Sequence, residues 1–391
     1  MTFSLPELAR LGKQCRDRFF TLNPKFDAVV TDVPIHIGYL SGYRSILHDI
    51  PPYAQALVAT RESIALITGA SDAGAALEVL EDPAAIWRYG TFFVSNSGDL
   101  PSYRDMPPAQ AAAAEALTAA LTNMPLAPKC VAVDLSRTEF SASVERALPN
   151  AEFVQAADTF QRARAVKLAG EIDLLRYASR ITDKAIEGVI ALICAGSTEL
   201  EIAAEITRAI VFAGGIPRLV VVTSGERSSR VDAYAIDRRL QEGDLVRMDI
   251  GATVNGYHSD MARTYAVGDP GDLARDRYAA LFEGERMARG MVRTGVLAGE
   301  IFDVAVNGVR SGALPGYQRN HCGHGIGLRS HEFPLIGPRS DTLLESGMVL
   351  CVETPYYEIG WGGMMVEDTL IVTDTGHELL TDCSRELCHT I

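Results

Sequence analysis

The sequence contains no run of about 18 apolar residues, so no membrane-spanning helix is expected. Its N-terminus, MTFSLPELARLGKQCRDRFF, is amphipathic and charged, and it lacks the unbroken apolar core of a secretory signal. The seven cysteines show no CxxC spacing. An odd, scattered set fits a reducing compartment better than a disulfide framework, so the expected location is cytoplasmic. Positive charge is also short: 36 Lys and Arg stand against 50 Asp and Glu, a formal net charge of -14. Nucleic-acid binders need a basic face to meet phosphate, and anionic membranes attract basic segments. Neither kind of partner is expected. No internal repeat and no low-complexity segment is visible.

What is present describes ordinary globular protein. The 391 residues exceed one usual core and suit two domains. The expected division is residues 1–160 and 161–391. In the first part, residues 5–20 suggest a surface helix, and residues 27–32 and 55–68 suggest buried strands. The segment between them, HIGYLSGYRSI, has the pattern of a strand running into a turn. Residues 109–123 are Ala-rich and helical, and 130–135 form another short strand.

The pattern changes near residue 160. Leu174, Ala178, Ile181, Ala185 and Val189 recur at helical spacing and predict one helix over 171–194, stopped by Gly196. Thr198 and Glu201 have the spacing of a capping box for a second helix that ends at Gly214-Gly215. Two more helices are expected near 271–292 and 298–312. Strands are expected at 218–224, 244–253, 257–267, 347–354 and 364–373. Helices interleaved with antiparallel strands make this an α+β domain.

The segment GDLVRMDIGATVNGYHSDMARTY carries the first chemical signal. Asn255-Gly256 between two strand-like runs is a two-residue hairpin loop. Cross-strand pairs then sum to 511, so Asp260 faces Gly251 and Asp249 faces Ala262. Alternation puts both aspartates diagonally on one face, roughly 7–8 Å apart, a spacing at which they can share metal ions. Asp249 lies in the apolar run LVRMDIGA, and a buried carboxylate needs a partner, a proton or a metal. Arg263 falls on the opposite face from Asp260 and is read as structural.

A second set follows in NHCGHGIGLRSHEFP. Gly323, Gly325 and Gly327 surround His324, a natural metal ligand. His331 stands seven residues on, close enough to act as an acid or as a hydrogen-bond donor to substrate. Cys322 and Cys351 are read as small buried hydrophobes. Glu353 in GMVLCVETP and Glu367 in GGMMVEDTLIVT each sit in apolar strands where a lone charge is costly. Asp368 points away from Glu367, either to the surface or to a place behind the ligands. Asp249, Asp260, His324, Glu353 and Glu367 together offer oxygen and one imidazole. That set suits Mn, Fe, Co or Zn, with Mn favoured, and its charge suits two divalent metal ions per chain. Two such ions roughly 3.5–4 Å apart can activate a shared water for attack on a carbonyl carbon. Glu353 would shuttle the proton, and His331 would stabilise the oxyanion.

In these residues, taken together, the chain resembles the creatinase, prolidase and methionine aminopeptidase group. The matching features are Asp249 and Asp260 eleven apart, His324 in GHGIG, His331-Glu332, Glu353 after GMV, and Glu367 before a strand ending in TDTG. The resemblance covers roughly 160–391, and YLSGYRS resembles the smaller N-terminal creatinase-type domain. It implies a pita-bread catalytic domain, a dinuclear metal site in the peptidases, and a homodimer. The substrate it implies is a small peptide or other small molecule.

Three departures bear on the substrate. Proline-processing members usually carry a histidine where this chain has Asp232. Met364-Met365-Val366 stands where they tend to have an arginine, and Thr-Pro follows Glu353 in place of Pro-Gly. Asp232 could hold a cationic group of the substrate, or could simply pair with Arg230, Arg238 or Arg239. Two functions compete on this basis: cleavage of a C–N bond beside proline in a peptide, and hydrolysis of a small, possibly cationic, non-peptide metabolite. A lyase is disfavoured by Gly251, where sulfonium lyases of the group carry an aspartate. A binding protein without catalysis is disfavoured by the complete ligand set. Tyr257, Tyr356, Tyr357 and Trp361 are candidates for a pocket rim or a dimer interface.

Overall fold

The computed structural model describes residues 4–49, 53–95, 103–125 and 127–390. The chain forms two compact units, Met1–Ala163 and Arg164–Ile391.

The first unit is built on a six-stranded sheet. Its strands are β1 (Ala28–Thr31), β2 (Ala56–Ala59), β3 (Ile64–Gly69), β4 (Ile86–Tyr89), β5 (Cys130–Asp134) and β6 (Glu152–Gln155), in the order β4-β3-β2-β1-β5-β6. The helices are α1 (Leu5–Leu22), α2 (Pro34–Ser41), α3 (Ala73–Leu80), α4 (Ala113–Asn123), α5 (Thr138–Ala147) and α6 (Ala157–Ala165). Leu117, Leu121, Phe140 and Val144 cover strand residues Val30, Val58 and Val131.

Two expectations are corrected here. Residues 55–68 are not one strand but an antiparallel hairpin, turned at exposed Arg61-Glu62 and closed by the Thr60 N–H donating to the Ser63 carbonyl. The segment HIGYLSGYRSI does not enter as a strand, because α2 occupies Pro34–Ser41. Pro34 fixes the first helical φ without losing a needed N–H, and the apolar run buries His36, Ile37, Tyr39 and Leu40 on several sides. An all-round apolar segment has no helical stripe to read, which is why its period misled.

The second unit opens with α7 (Ala169–Glu187) and α8 (Glu199–Phe212). The first of these is shorter than expected: it ends before Gly188, and a 3-10 turn at Ile190–Leu192 follows. The capping box on α8 forms as the sequence requires. The Glu201 N–H donates to Thr198 Oγ1 at 3.1 Å, and the Thr198 N–H donates to Glu201 Oε2 at 2.8 Å.

Two sheets carry the rest. One contains β7 (Ile216–Ser224), β8 (Leu245–Val254), β9 (Tyr257–His258) and β10 (Met261–Val267). After α9 (Asp272–Met291) and α10 (Ala298–Arg310), the other contains β11 (Gly323–Gly325), β12 (Glu332–Leu335) and β13 (Val349–Glu353). A small ribbon of β14 (Tyr356–Glu358) and β15 (Gly362–Met364) intervenes. The second sheet then resumes with β16 (Glu367–Val372) and β17 (His377–Leu379), while β18 (Cys388–Thr390) returns to pair with β10. The expected strand 364–373 is thus split between β15 and β16.

Helices α9 and α10 pack on each other and on one face of the second sheet. Leu281, Ala288, Ile301, Ala305 and Val309 meet Leu350, Val352 and Leu370. Because side chains alternate, this packing leaves residues 351, 353, 367 and 369 on the other face.

Gly284 marks the closest approach of the two helices. A Cβ there would lie 2.3 Å from Val309 Cγ2 and 2.8 Å from the Ala305 carbonyl oxygen. Alanine gains about 1 kcal/mol in helix propensity over glycine, but overpacking against backbone costs about 1–3 kcal/mol. Gly284→Ala is expected to lower stability by roughly 1–2 kcal/mol in urea denaturation, and a stabilised variant would refute the packing account.

Candidate metal centre

The hairpin of β8 and β10 brings the two aspartates together. Its register pairs Asp249 with Ala262 and Ile250 with Met261, summing to 511 as the Asn255-Gly256 turn requires. Both turn residues take the positive φ that such a loop demands, 48° and 78°. Asp260 precedes β10 and shares the face of Asp249.

The second sheet supplies the rest. His324 lies opposite Cys351, Cys351 opposite Thr369, and Glu353 opposite Glu367. All five therefore face one way. Gly323 allows this approach: its φ is 144°, and a Cβ would meet the Cys351 carbonyl oxygen at 2.1 Å. The two sheets are tied directly at the site, where Thr369 Oγ1 donates to the Asp260 carbonyl at 2.6 Å.

Donor atoms of Asp260, His324, Cys351 and Glu367 come within 4.8 Å of one another, and all four residues are buried. Asp249 and Glu353 lie outside that tight group, although their charges act on Asp260 and Glu367. They hold other partners. Asp249 Oδ2 is 3.7 Å from Arg247 Nη1. Glu353 Oε1 accepts from His321 Nε2 at 2.9 Å, with Arg319 at 3.9 Å from its other oxygen. Three of the five expected ligands thus gather tightly and two flank them, while Cys351, expected only to pack, brings its sulfur into the group.

The electrostatics fit a cation. Burial, reinforced by the neighbouring carboxylates, pushes Asp260 and Glu367 well above the usual carboxylate range. Burial also raises Asp249 to about 7 despite Arg247. For Glu353 burial acts upward, but the His321 hydrogen bond and Arg319 outweigh it and hold the group low. Among the described residues Asp260 Oδ1 is buried and meets no hydrogen-bond partner. Burial lowers His324 to about 4, so its ring is neutral. His324 Nδ1 lies 3.0 Å from the Gly325 carbonyl, which can only accept, so Nδ1 carries the proton. The Nε2 lone pair then looks toward Glu367, 4.0 Å away. A neutral imidazole fixed in this tautomer beside unneutralised carboxylates is a divalent-metal donor set.

Other residues settle the remaining expectations. The His331 ring stacks on His324 at 3.7 Å between centroids, and the residue is exposed. Asp232 is exposed and outside the cluster, yet its charge reaches Asp249 and His331. Arg238 is engaged with Asp244, and Arg239 with the Gly196 carbonyl. The Tyr257 hydroxyl donates to Glu171, while Tyr356 and Trp361 pack on Arg277. Tyr357 faces Arg247.

Two residues escaped sequence reasoning. His321 is visible in the sequence only as one of three histidines within eleven residues, His321, His324 and His331. Arg247 stands two before Asp249 in an apolar strand, and alternation alone would have put it on the same face. It donates to the carbonyls of Ser228, Arg230 and Val231 and so fixes the backbone leading to Asp232.

A family model described as metallopeptidase family M24 matches residues 173–374. The chain is 34% identical over 238 residues to an Xaa-Pro dipeptidase of Pyrococcus furiosus, covering 60% of this chain and 68% of that protein. Among solved structures it resembles dipeptidase PepE from Mycobacterium ulcerans, with TM-score 0.77, 28% identity and 99% of each chain covered. It also resembles the prolidase from Pyrococcus horikoshii, with TM-score 0.76, 27% identity, and 96% of this chain and 99% of that one covered. The fold is the pita-bread fold of these peptidases.

Behind the site, Asp368 anchors the glutamate strand. It is fully buried, which excludes a surface role. Arg263 Nη2 donates to its Oδ1 at 2.7 Å, Arg385 donates to both oxygens, and Arg263 Nη1 donates to the Glu367 carbonyl. Removing one partner of a buried ion pair strands the other charge. Asp368→Asn is therefore expected to lose on the order of 3–5 kcal/mol in chemical denaturation. A loss below about 1 kcal/mol, the range of exposed pairs, would contradict this account.

Proposed function

The chain belongs to metallopeptidase family M24, metal-dependent hydrolases of the peptide bond, and from that premise we propose that its substrates are short peptides cleaved at an Xaa-Pro bond. The observation that carries the metal chemistry is the meeting of buried Asp260, Glu367 and neutral His324. Among the described residues no lysine or arginine pairs with either carboxylate. The proline preference is supported by the relatives named Xaa-Pro dipeptidase and prolidase.

We assign Asp249, Asp260, His324, Glu353 and Glu367 to hold two divalent ions. Their oxygen-rich set favours manganese and also accommodates zinc, cobalt or iron. When bound, such ions polarise the scissile carbonyl and supply an activated water. The chain's own residues do the rest. Glu353 moves the proton from that water to the leaving nitrogen, steadied by the His321 hydrogen bond. His331 donates to the oxyanion. Asp232 pairs with the substrate's free ammonium group; its charge already reaches Asp249 and His331. This gives the acidic group a role within a peptidase, with no need for a non-peptide cation.

The working unit we propose is a cytoplasmic homodimer with residues 1–160 as a creatinase-type domain. Cys15, Cys130, Cys194, Cys322, Cys351 and Cys383 are free, which supports a reducing compartment. Among the described residues no helix is long and apolar enough to cross a membrane.

Purified protein is expected to hold about two divalent ions per chain by elemental analysis and to lose activity with chelator. Even residues that merely support a ligand cost roughly 10–100-fold when changed, so Asp260→Asn should lose more than that and shed metal. Ala-Pro should be cleaved and Ala-Ala should not. Equal cleavage of both, or of neither with metal bound, would end the proline assignment.

A further inference from the structure

We propose that Cys351 is a direct sulfur ligand in one of the metal positions, completing a set with Asp260, His324 and Glu367; the proposal rests on the reading of this cluster as a metal centre. Cys351 occupies the middle strand of its sheet. His324 lies across from it on one neighbouring strand and Thr369 on the other. Its sulfur lies within 4.8 Å of donor atoms from Asp260, His324 and Glu367. The residue is fully buried, so the sulfur cannot turn to water.

A cysteine used only for packing sits among apolar atoms. This one faces two carboxylates, an imidazole and a hydroxyl. The Thr369 hydroxyl is 3.4 Å from the sulfur, but its one proton goes to the Asp260 carbonyl. Toward the sulfur it can therefore only accept. As a thiol, Cys351 can satisfy one acceptor, either Thr369 or Glu367, and its lone pairs still look at anions. A cation at the centre of the group makes every one of these contacts favourable. Coordination exchanges the sulfur's proton for the ion, with the proton leaving to solvent.

The consequence is selectivity. Sulfur is a soft donor and favours zinc, cobalt(II) or iron(II) over manganese. Asp249 and Glu353, outside that group, would offer only hard oxygen donors. The two ions need not be alike, and a chain loaded with one kind would be a poor guide to the native state.

Cobalt(II) reports thiolate ligation directly. The full chain, stripped with chelator and reloaded with cobalt(II), is expected to show a sulfur-to-cobalt charge-transfer band in the near-ultraviolet beside the weak visible ligand-field bands. Cys351→Ser should lose the charge-transfer band while still binding cobalt, and Cys322→Ser should keep it. In competition between zinc and manganese, Cys351→Ser should shift the bound ratio toward manganese. Native protein that binds cobalt with ligand-field bands alone overturns the sulfur ligand and leaves the metal centre standing. A band that survives in Cys351→Ser also overturns it. If no cobalt is bound at all, the metal reading itself fails.

Discussion

Carboxylates buried within reach of one another repel, and each has given up water to be there. That cost governs the second unit. Ionised, Asp249, Asp260, Glu353 and Glu367 would bring four negative charges to facing surfaces of two sheets, in a place where solvent cannot screen them. The sheets must hold that arrangement against its own repulsion. They do so with bonds that involve no ligand side chain. Thr369 reaches the Asp260 carbonyl, Thr264 exchanges hydrogen bonds with the Met365 backbone, and Arg263 grips the Glu367 carbonyl. Each of these crosses between the two sheets, and each leaves the carboxylates themselves free for a cation.

Alternation along one strand separates two acids of opposite fate. Glu367 and Asp368 are neighbours, both fully buried. Glu367 faces the centre, where burial and like charges drive it up. Burial also acts against charge on Asp368, but two arginines on its side outweigh that and hold it at about 2. The same chain segment thus carries one carboxylate without a protein cation and another already neutralised by protein. The arginine-bound one locks the backbone that aims the other.

Local rules make part of this legible in the sequence alone. Asn255-Gly256 set the hairpin register, and register set the common face of Asp249 and Asp260. The loop between Glu353 and Glu367 gave no such rule, since its length and its three glycines allow many registers. Their direct opposition emerges only when the long loop folds into the β14–β15 ribbon. In the first unit α2 was misread because an evenly apolar segment has no preferred face. Cys351 shows the converse limit. Its small size and apolar neighbours in sequence correctly implied burial, but what a side chain is buried against depends on two other strands, His324 on one side and Thr369 on the other.

Arginine and histidine partners are distributed unevenly over the four acids, and the distribution carries chemical meaning. Asp249 has Arg247 beside it, and Glu353 has His321 and Arg319. Among the described residues neither Asp260 nor Glu367 has an arginine or lysine partner, and the histidine near Glu367, His324, is neutral. Glu353, held low by its partners, can stay ionised when no metal is near, whereas Arg247 only partly offsets the burial that raises Asp249 to about 7. A carboxylate without such a partner must wait for an ion or hold a proton. The demand for external charge is therefore concentrated on the side of Asp260, His324 and Glu367. On the other side the protein supplies part of the charge itself. For the proton transfer we propose for Glu353, the His321 bond matters in a second way, since it keeps the group in the ionised form from which it would begin. One flank of the site thus depends wholly on an external cation, while the other already has protein partners for its carboxylates.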